Sequence, residues 1–281
     1  MPTIEEKRVY EEQAARTDAY VASDAGLVRV AVSADRVGRF TLARRGPTRD
    51  VAVADGRLVV ATDETVVVDG TATDVGPATA VGTDGAGAPL AAADGRLARH
   101  DGTEWVSLGA VESVAAIDRG LVVAADGVHR VVEDGLASAG LPTARDVAGG
   151  ATPLAATDDG LYALGNGWME VASGAFRAVA AAPGGRAVAV GDEGLVGRAD
   201  EGSEWVRLPG PPGEGRVVDV GAASAAWYAV TAAGRFLAVH EDEVGAGEAA
   251  WRPTELGVRG VARLAVGDAA GRSEDAAAGS A

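Results

Sequence analysis

The chain has 281 residues, a formal net charge of −16 and no cysteine. The lack of cysteine excludes disulfides and thiolate chemistry, and the acidic balance argues against sequence-independent nucleic-acid binding, which needs a basic face. Lys7 is the only lysine, so 24 of the 25 basic residues are arginine. No apolar stretch approaches the roughly 18 residues of a membrane span. We therefore predict a soluble, cytoplasmic monomer.

The first predicted element is a short helix over residues 4–16. Thr3 and Glu6 have the spacing of a capping box, in which the two side chains satisfy free backbone N–H groups of the first turn. The opening sequence MPTIEEKRVYEEQAAR is charged and lacks the apolar centre of a secretory signal. We assign residues 1–18 to an N-terminal helical segment outside the main domain.

A turn flanked by small and β-branched residues then recurs along the chain. Each copy predicts two strands joined by a tight hairpin, because the flanking pattern suits strands and glycine supplies the positive φ of the turn. The central residues of the seven copies are Gly26, Thr65, Gly95, Gly127, Gly160, Gly194 and Gly234. Thr65 would be strained at positive φ, so we expect its turn to take another shape.

One further strand precedes each complete hairpin and another follows it. Examples are RDVAV at 49–53, before the second hairpin, and TEWVSLG at 103–109, after the third. We call the four strands of a unit A, B, C and D in the order in which the complete units run. Four-stranded units of about 35 residues that repeat along a chain are typical of a β-propeller.

The two ends of the repeat complement each other. The first hairpin, at 19–30, has no A strand before it, and GVARLAV at 260–266 is an A-like strand with no hairpin after it. Pairing these two segments would close seven blades and hide the sheet edges. The predicted fold is an all-β, seven-bladed β-propeller over residues 19–267, closed by the C-terminal strand on the N-terminal blade. Residues 268–281 are predicted to be a disordered tail.

Candidate binding residues follow from this topology. In a propeller, the loop entering strand A and the B–C turn lie at the same mouth of the central channel. The arginines predicted to converge there are Arg45, Arg49, Arg145, Arg216 and Arg259. The B–C turns bring aspartates to the same face. The arginines either pair with these carboxylates or keep guanidinium edges free for an anionic ligand or an acidic partner segment.

We predict no catalytic residue, metal site or cofactor. The histidines fall in different blades at different offsets from their turns, and they are His100, His129 and His240. The single lysine excludes a P-loop. The tryptophans of the outer strands are interpreted as filler between blades, and they are Trp105, Trp168, Trp205 and Trp251.

The acidic, arginine-based composition and the repeat over 19–267 resemble the uncharacterised β-propeller proteins of haloarchaea. The segment DEGSEW at 200–205 also resembles the Asp-box of sialidase-like propellers, which is a structural turn between outer strands. The first resemblance implies the propeller fold and a salt-rich cytoplasm, but no activity. We expect a non-enzymatic scaffold that binds a protein partner. The alternative is a binder of small anionic ligands, or a sialidase- or lyase-like enzyme, with its site at the channel mouth.

Overall fold

The computed structural model describes residues 16–182, 184–210, 215–240 and 251–267. These residues form seven four-stranded sheets around a central channel. The strands are β1 (Arg16–Ser23), β2 (Gly26–Ser33), β3 (Arg36–Arg45), β4 (Thr48–Ala54), β5 (Arg57–Thr62), β6 (Val66–Val68), β7 (Thr71–Ala72), β8 (Ala78–Thr83), β9 (Pro89–Ala93), β10 (Arg96–His100), β11 (Trp105–Ala110), β12 (Ala116–Asp118), β13 (Leu121–Ala124), β14 (Gly127–Val132), β15 (Gly135–Gly140), β16 (Ala144–Ala148), β17 (Leu154–Thr157), β18 (Gly160–Leu164), β19 (Trp168–Ser173), β20 (Phe176–Ala181), β21 (Ala187–Gly191), β22 (Gly194–Arg198), β23 (Val206–Arg207), β24 (Val217–Ala222), β25 (Ala226–Thr231), β26 (Arg235–His240), β27 (Arg252–Glu255) and β28 (Arg263–Val266).

The ring is closed by the two ends of the described chain. Blade 1 has the strand order β28-β1-β2-β3, and blades 2 to 7 each use four successive strands. β28 is antiparallel to β1, with Val266 opposite Ala19 and Arg263 opposite Ala22. This pairing confirms the predicted closure and the seven-bladed, all-β fold.

The first strand begins earlier than the sequence analysis placed it. β1 starts at Arg16, so the ring includes residues 16–18, which were assigned to the N-terminal segment. The rest of the helix predicted over 4–16, and the tail predicted at 268–281, lie outside the described residues. Among the residues that the structure describes, no helix is long and apolar enough to cross a bilayer.

The core is divided into seven apolar clusters, one between each pair of successive blades. Between blades 7 and 1, for example, Tyr228 and Phe236 pack with Val28 of β2. Trp168 of blade 5 donates its Nε1–H to the carbonyl of Ala139 in blade 4 at 2.8 Å. This tryptophan therefore fills the space between blades, as predicted. Each blade buries both of its faces against neighbours, which explains why the inner strands are apolar on both sides.

The B–C turns differ in how they use glycine. At Gly26, φ is 141° and a Cβ would lie 2.0 Å from a carbonyl oxygen of β3, so only glycine fits. The Thr65 turn differs, as expected. The Thr62 hydroxyl accepts the N–H of Thr65 at 3.0 Å and donates to its carbonyl at 2.7 Å. Thr157 and Gly160 make the same two hydrogen bonds, so glycine is not needed for positive φ in that turn.

Aspartates fold two of the C–D turns, and one of these turns is the segment at 200–205 that resembles the Asp-box. The carboxylate of Asp200 accepts the N–H of Gly202 at 3.0 Å. The carboxylate of Asp101 accepts the N–H groups of Thr103 at 2.8 Å and Glu104 at 2.9 Å. Both are local side-chain-to-backbone turns, which agrees with the structural role that the resemblance implied.

Candidate functional site

The inner strands of all seven blades surround a cavity of about 140 Å³. Much of its wall is aliphatic, with Val53, Ile117, Val220 and Val266 among the lining residues. Pockets that hold drug-sized ligands usually measure roughly 300–1,000 Å³. At this level the channel is therefore too narrow for a ligand of that size.

Four charged residues lie at one level of the channel wall, and we call them the channel ring. They are Arg263 on β28, Asp50 on β4, Asp146 on β16 and Asp219 on β24. In each of these blades, the ring residue is paired with the second-to-last residue of strand B, just before the B–C turn. The same register puts alanine at this level in the other three blades. One cation and three carboxylates thus share a single ring.

The ring carboxylates bond successive blades to each other. Asp50 accepts the N–H of Val51 on its own strand and that of Val81 in blade 3, both at 2.8 Å. Asp219 likewise accepts the N–H of Leu264 in blade 1 at 2.7 Å. Asp146 accepts the N–H of Val179 in blade 6 at 2.9 Å. Asp118, which lies at the end of β12 and outside the channel ring, accepts the N–H of Gly149 in blade 5 at 2.7 Å. Each carboxylate satisfies a backbone N–H that the sheet ladder leaves free, and so holds two blades in register.

Arg263 crosses the channel from blade 1. Its Nε lies 3.7 Å from Asp50 Oδ1 in blade 2, and its Nη1 lies 3.9 Å from Asp146 Oδ1 in blade 5. Its Nη2 donates to the carbonyl of Ala115 in blade 4. A guanidinium that reaches both sides of the ring obstructs the channel at this level. It also supplies the positive charge that three buried carboxylates require.

Burial dominates the electrostatics of the ring. It raises the pKa of Asp50 to about 6, although Arg263 and two backbone N–H groups favour the ionised form. Burial also raises the pKa of Asp118 to about 6. The pKa values of Asp146 and Asp219 are raised by burial as well, and for Asp146 the charge of Asp219 adds to the effect. Burial disfavours the charged form of Arg263, but the three carboxylates outweigh it and raise its pKa.

The top face, where the A strands begin, carries exposed arginine–aspartate pairs. Arg49 donates from Nε and Nη2 to the two carboxylate oxygens of Asp63, at 2.5 and 3.0 Å. Its Nη1 lies 3.1 Å from Asp24 of blade 1. Arg145 binds both oxygens of Asp158 at 2.7 Å. Hydrogen bonds from these arginines lower the pKa of Asp63 and of Asp158. At these two positions the arginines pair with the turn aspartates, the first of the two predicted alternatives.

The other three predicted arginines are not gathered into one site. Arg45, predicted to lie in the loop that enters strand A, is instead the last residue of the outer strand β3, opposite Gly26 and directly before that loop. Arg216 is exposed. Burial of Arg177 in blade 6 lowers the pKa of that residue, and the nearby charge of Arg216 lowers it further. Arg259 is exposed, and its carbonyl accepts the N–H of Asp24 at 3.3 Å. Ligand binding by these residues stays a prediction.

The channel ring was not predicted from the sequence. Its members lie inside segments that were assigned to A strands, such as RDVAV at 49–53 and GVARLAV at 260–266. A signal was available, because a charged residue within a strand buried on both faces needs a partner or a structural role. Arg177 is a third top-face arginine with an acidic partner, and it was not predicted either. Its Nη1 lies 3.4 Å from Oδ1 of Asp192, in the B–C turn of the same blade.

The histidines remain in separate blades. His129 contacts Asp126 at 2.7 Å, and His100 packs edge-on against Trp105. Within the described ranges, no group of three or more histidine, aspartate or glutamate side chains is arranged to hold a metal ion.

Solved structures that are similar to this one in fold come from diverse proteins. The extracellular domain of the putative one-component system BT4673 from B. thetaiotaomicron matches with a TM-score of 0.55 and 12% identity, over 75% of this chain and 35% of that one. This chain thus spans about a third of the length of that protein. The WD40 repeats of RRP9 match with a TM-score of 0.57 and 12% identity, over 91% of this chain and 95% of that one. YCF48, in a structure bound to D1 peptide, matches with a TM-score of 0.54 and 14% identity, over 75% and 82%.

At these identities the similarity concerns the fold alone. Among curated proteins, no sequence matches this chain. A family model does match, and it covers residues 3–267, which include the whole ring. The chain therefore belongs to the Beta-prop_HVO_0234-like β-propeller family.

Proposed function

We propose that this protein is a non-enzymatic interaction scaffold whose outer surface binds a protein partner. The narrow, obstructed level of the channel carries this proposal. Arg263 crosses a cavity of only about 140 Å³, and the ring carboxylates are bonded to backbone N–H groups. An enzyme or small-ligand site needs accessible polar groups that converge in a pocket. Here the buried charges hold blades together, which leaves the outside of the ring for binding.

The similar structures support the same proposal. The propellers related to this chain in fold include WD40 repeats and a protein described as bound to a peptide. We propose a protein partner rather than nucleic acid or a membrane, because the net charge is −16. The acidic, arginine-based composition supports a setting in a salt-rich cytoplasm.

A second candidate is the binding of a small anion at the top face. Arg216 and Arg259 are exposed and have no ion pair among the described residues. Each can therefore offer donors to a carboxylate, sulfate or phosphate. This candidate concerns the mouth of the channel and does not need the channel to be open.

The two candidates can be separated by one set of measurements. The tagged protein is purified from its native cells in high salt, co-eluting proteins are identified, and the complex is rebuilt from two purified proteins. A stoichiometric complex on size-exclusion chromatography is the expected result. In parallel, thermal unfolding is followed with sulfate, phosphate, citrate and sialic acid.

The opposite result has a distinct form. It would be a protein with no partner that one of these anions stabilises, with the stabilisation lost in an Arg216→Gln/Arg259→Gln variant. That outcome would replace the scaffold with a small-ligand binder.

A further inference from the structure

The outer strand of blade 1 differs from the other described outer strands. β3 has ten residues, whereas the outer strands of the other blades have six or fewer. None of its ten residues is buried, and Phe40 and Leu42 are 39% and 41% exposed. Among the described strands, β3 pairs with β2 alone. Its other side is a long, accessible sheet edge whose backbone groups can pair with another strand.

The charge of this edge is opposite to that of the whole protein. β3 contains Arg36 and Arg39 near one end and Arg44 and Arg45 at the other, with the apolar Phe40–Leu42 segment between them. None of these four arginines has an ion-pair partner among the described residues. Arg36 and Arg39 line a cleft of about 580 Å³ along the β2–β3 hairpin. An acidic protein thus presents a basic strand on its outside.

The charged and apolar side chains of β3 determine which kind of strand can pair with it. Four arginines repel the same strand of a second copy, and attract carboxylates. The register of the β2–β3 pair is irregular on both sides of the segment from Phe40 to Leu42, which leaves that segment as the regular part of the edge. The whole strand is roughly 30 Å long at about 3.3 Å per residue. A complementary segment is extended, has an apolar centre and carries acidic residues at both ends.

We propose that β3 binds an extended acidic segment of a partner protein, which adds to blade 1 as a fifth strand. This inference rests on the proposed scaffold function and specifies its surface and the chemistry of its partner. Backbone hydrogen bonds along the edge supply affinity, Phe40 and Leu42 contact apolar side chains, and the terminal arginines pair with carboxylates.

The test uses a fluorescein-labelled peptide, DEVTVTDE, and its basic counterpart, KKVTVTKK, with the full-length protein. Fluorescence anisotropy is expected to show that the acidic peptide binds more tightly, with affinity that falls as salt rises. An Arg39→Glu/Arg45→Glu variant should lose about tenfold in affinity. An Arg96→Glu/Arg130→Glu variant makes the same charge change at exposed sites outside blade 1, and it should bind like the wild type.

Hydrogen exchange distinguishes strand addition from loose charge attraction. On binding of the acidic peptide, amides within 36–45 should exchange more slowly, because outward N–H groups become paired. Equal binding of both peptides, or equal losses in both variants, would overturn the inference, and so would unchanged exchange in β3. If a native partner binds the wild type and the β3 variant equally, the scaffold function is supported, but the assignment of the binding surface to β3 is wrong. If no partner exists, the scaffold function itself fails.

Discussion

The channel ring and the top-face pairs use the same two residue types in different surroundings. Asp50 of the ring is buried, and Arg263 keeps only 25% of its side-chain surface exposed. On the top face, the side chains of Arg49 and Asp63 are 49% and 47% exposed. Water screens the outer pairs, whereas the ring has to be neutralised and hydrogen-bonded from within the protein. We therefore expect the ring to contribute to stability and the top-face pairs to leave it almost unchanged.

The strongest test of this comparison is the removal of the ring cation. Arg263→Met leaves three buried carboxylates without a nearby positive charge, and we expect a loss of about 3–5 kcal/mol in the free energy of unfolding. Urea titration at fixed salt concentration measures it. Arg263→Lys keeps the charge and should lose less. A loss below about 1 kcal/mol in the methionine variant would mean that the ring does not depend on its cation.

The pH dependence of stability separates the two regions. The folded-state pKa of Asp50 and of Asp118 is raised to about 6, above the value near 4 in an unfolded chain. Below pH 4 both states are protonated, and these two residues contribute their full stabilisation. That stabilisation is lost as pH rises through about 6, because ionisation is easier in the unfolded chain. Each buried group should account for up to about 2–3 kcal/mol across this window.

The exposed carboxylates act in the opposite direction and in another range. The pKa values of Asp63 and Asp158 are lowered by hydrogen bonds from arginine, so their contribution is lost only as pH falls below about 4. Thermal unfolding between about pH 4.5 and 7 therefore reports mainly the buried groups. An Asp50→Asn/Asp118→Asn variant should have a flatter profile in this range. An unchanged profile would contradict the assignment.

Packing between inner strands gives the next effect in size. A Cβ on Gly82 of β8 would lie 2.5 Å from the carbonyl oxygen of Ile117 in β12. Gly82→Ala must separate the two strands, and we expect a loss of about 1–3 kcal/mol in unfolding free energy. Gly85, in the turn that follows β8, has open space around its Cβ position and no positive φ. Gly85→Ala should be neutral, and equal effects of the two substitutions would contradict the packing argument.

The smallest expected effect is on the top face. Arg145→Gln removes the two hydrogen bonds to Asp158 but leaves both side chains in water. We expect no resolvable change in thermal unfolding, measured beside the other variants. A loss comparable to that of Gly82→Ala would show that top-face pairs also hold blades together, and the contrast with the ring would disappear.

Much of the fold could be predicted because it depends on residues that are close together in the sequence. The seven hairpins follow from short apolar runs on either side of a turn, and the unmatched GVARLAV segment predicted the closure on β1. The pairs Arg49–Asp63 and Arg145–Asp158 could also be predicted, because the two residues of each pair lie within one blade. The position of Arg45 could not, because the β2–β3 hairpin is longer than those of the other blades and takes this residue into the outer strand.

The sequence by itself determined the number of blades, the place of each B–C turn and the way in which the ring closes. These properties depend on neighbours along the chain: side-chain alternation, glycine at a turn and the count of strands per repeat. Only the tertiary structure decided that Arg263 meets Asp50 and Asp146, or that no residue of β3 is buried. The physical reason is that these contacts depend on the relative heights of inner strands across the ring, and packing of all seven blades sets those heights at once.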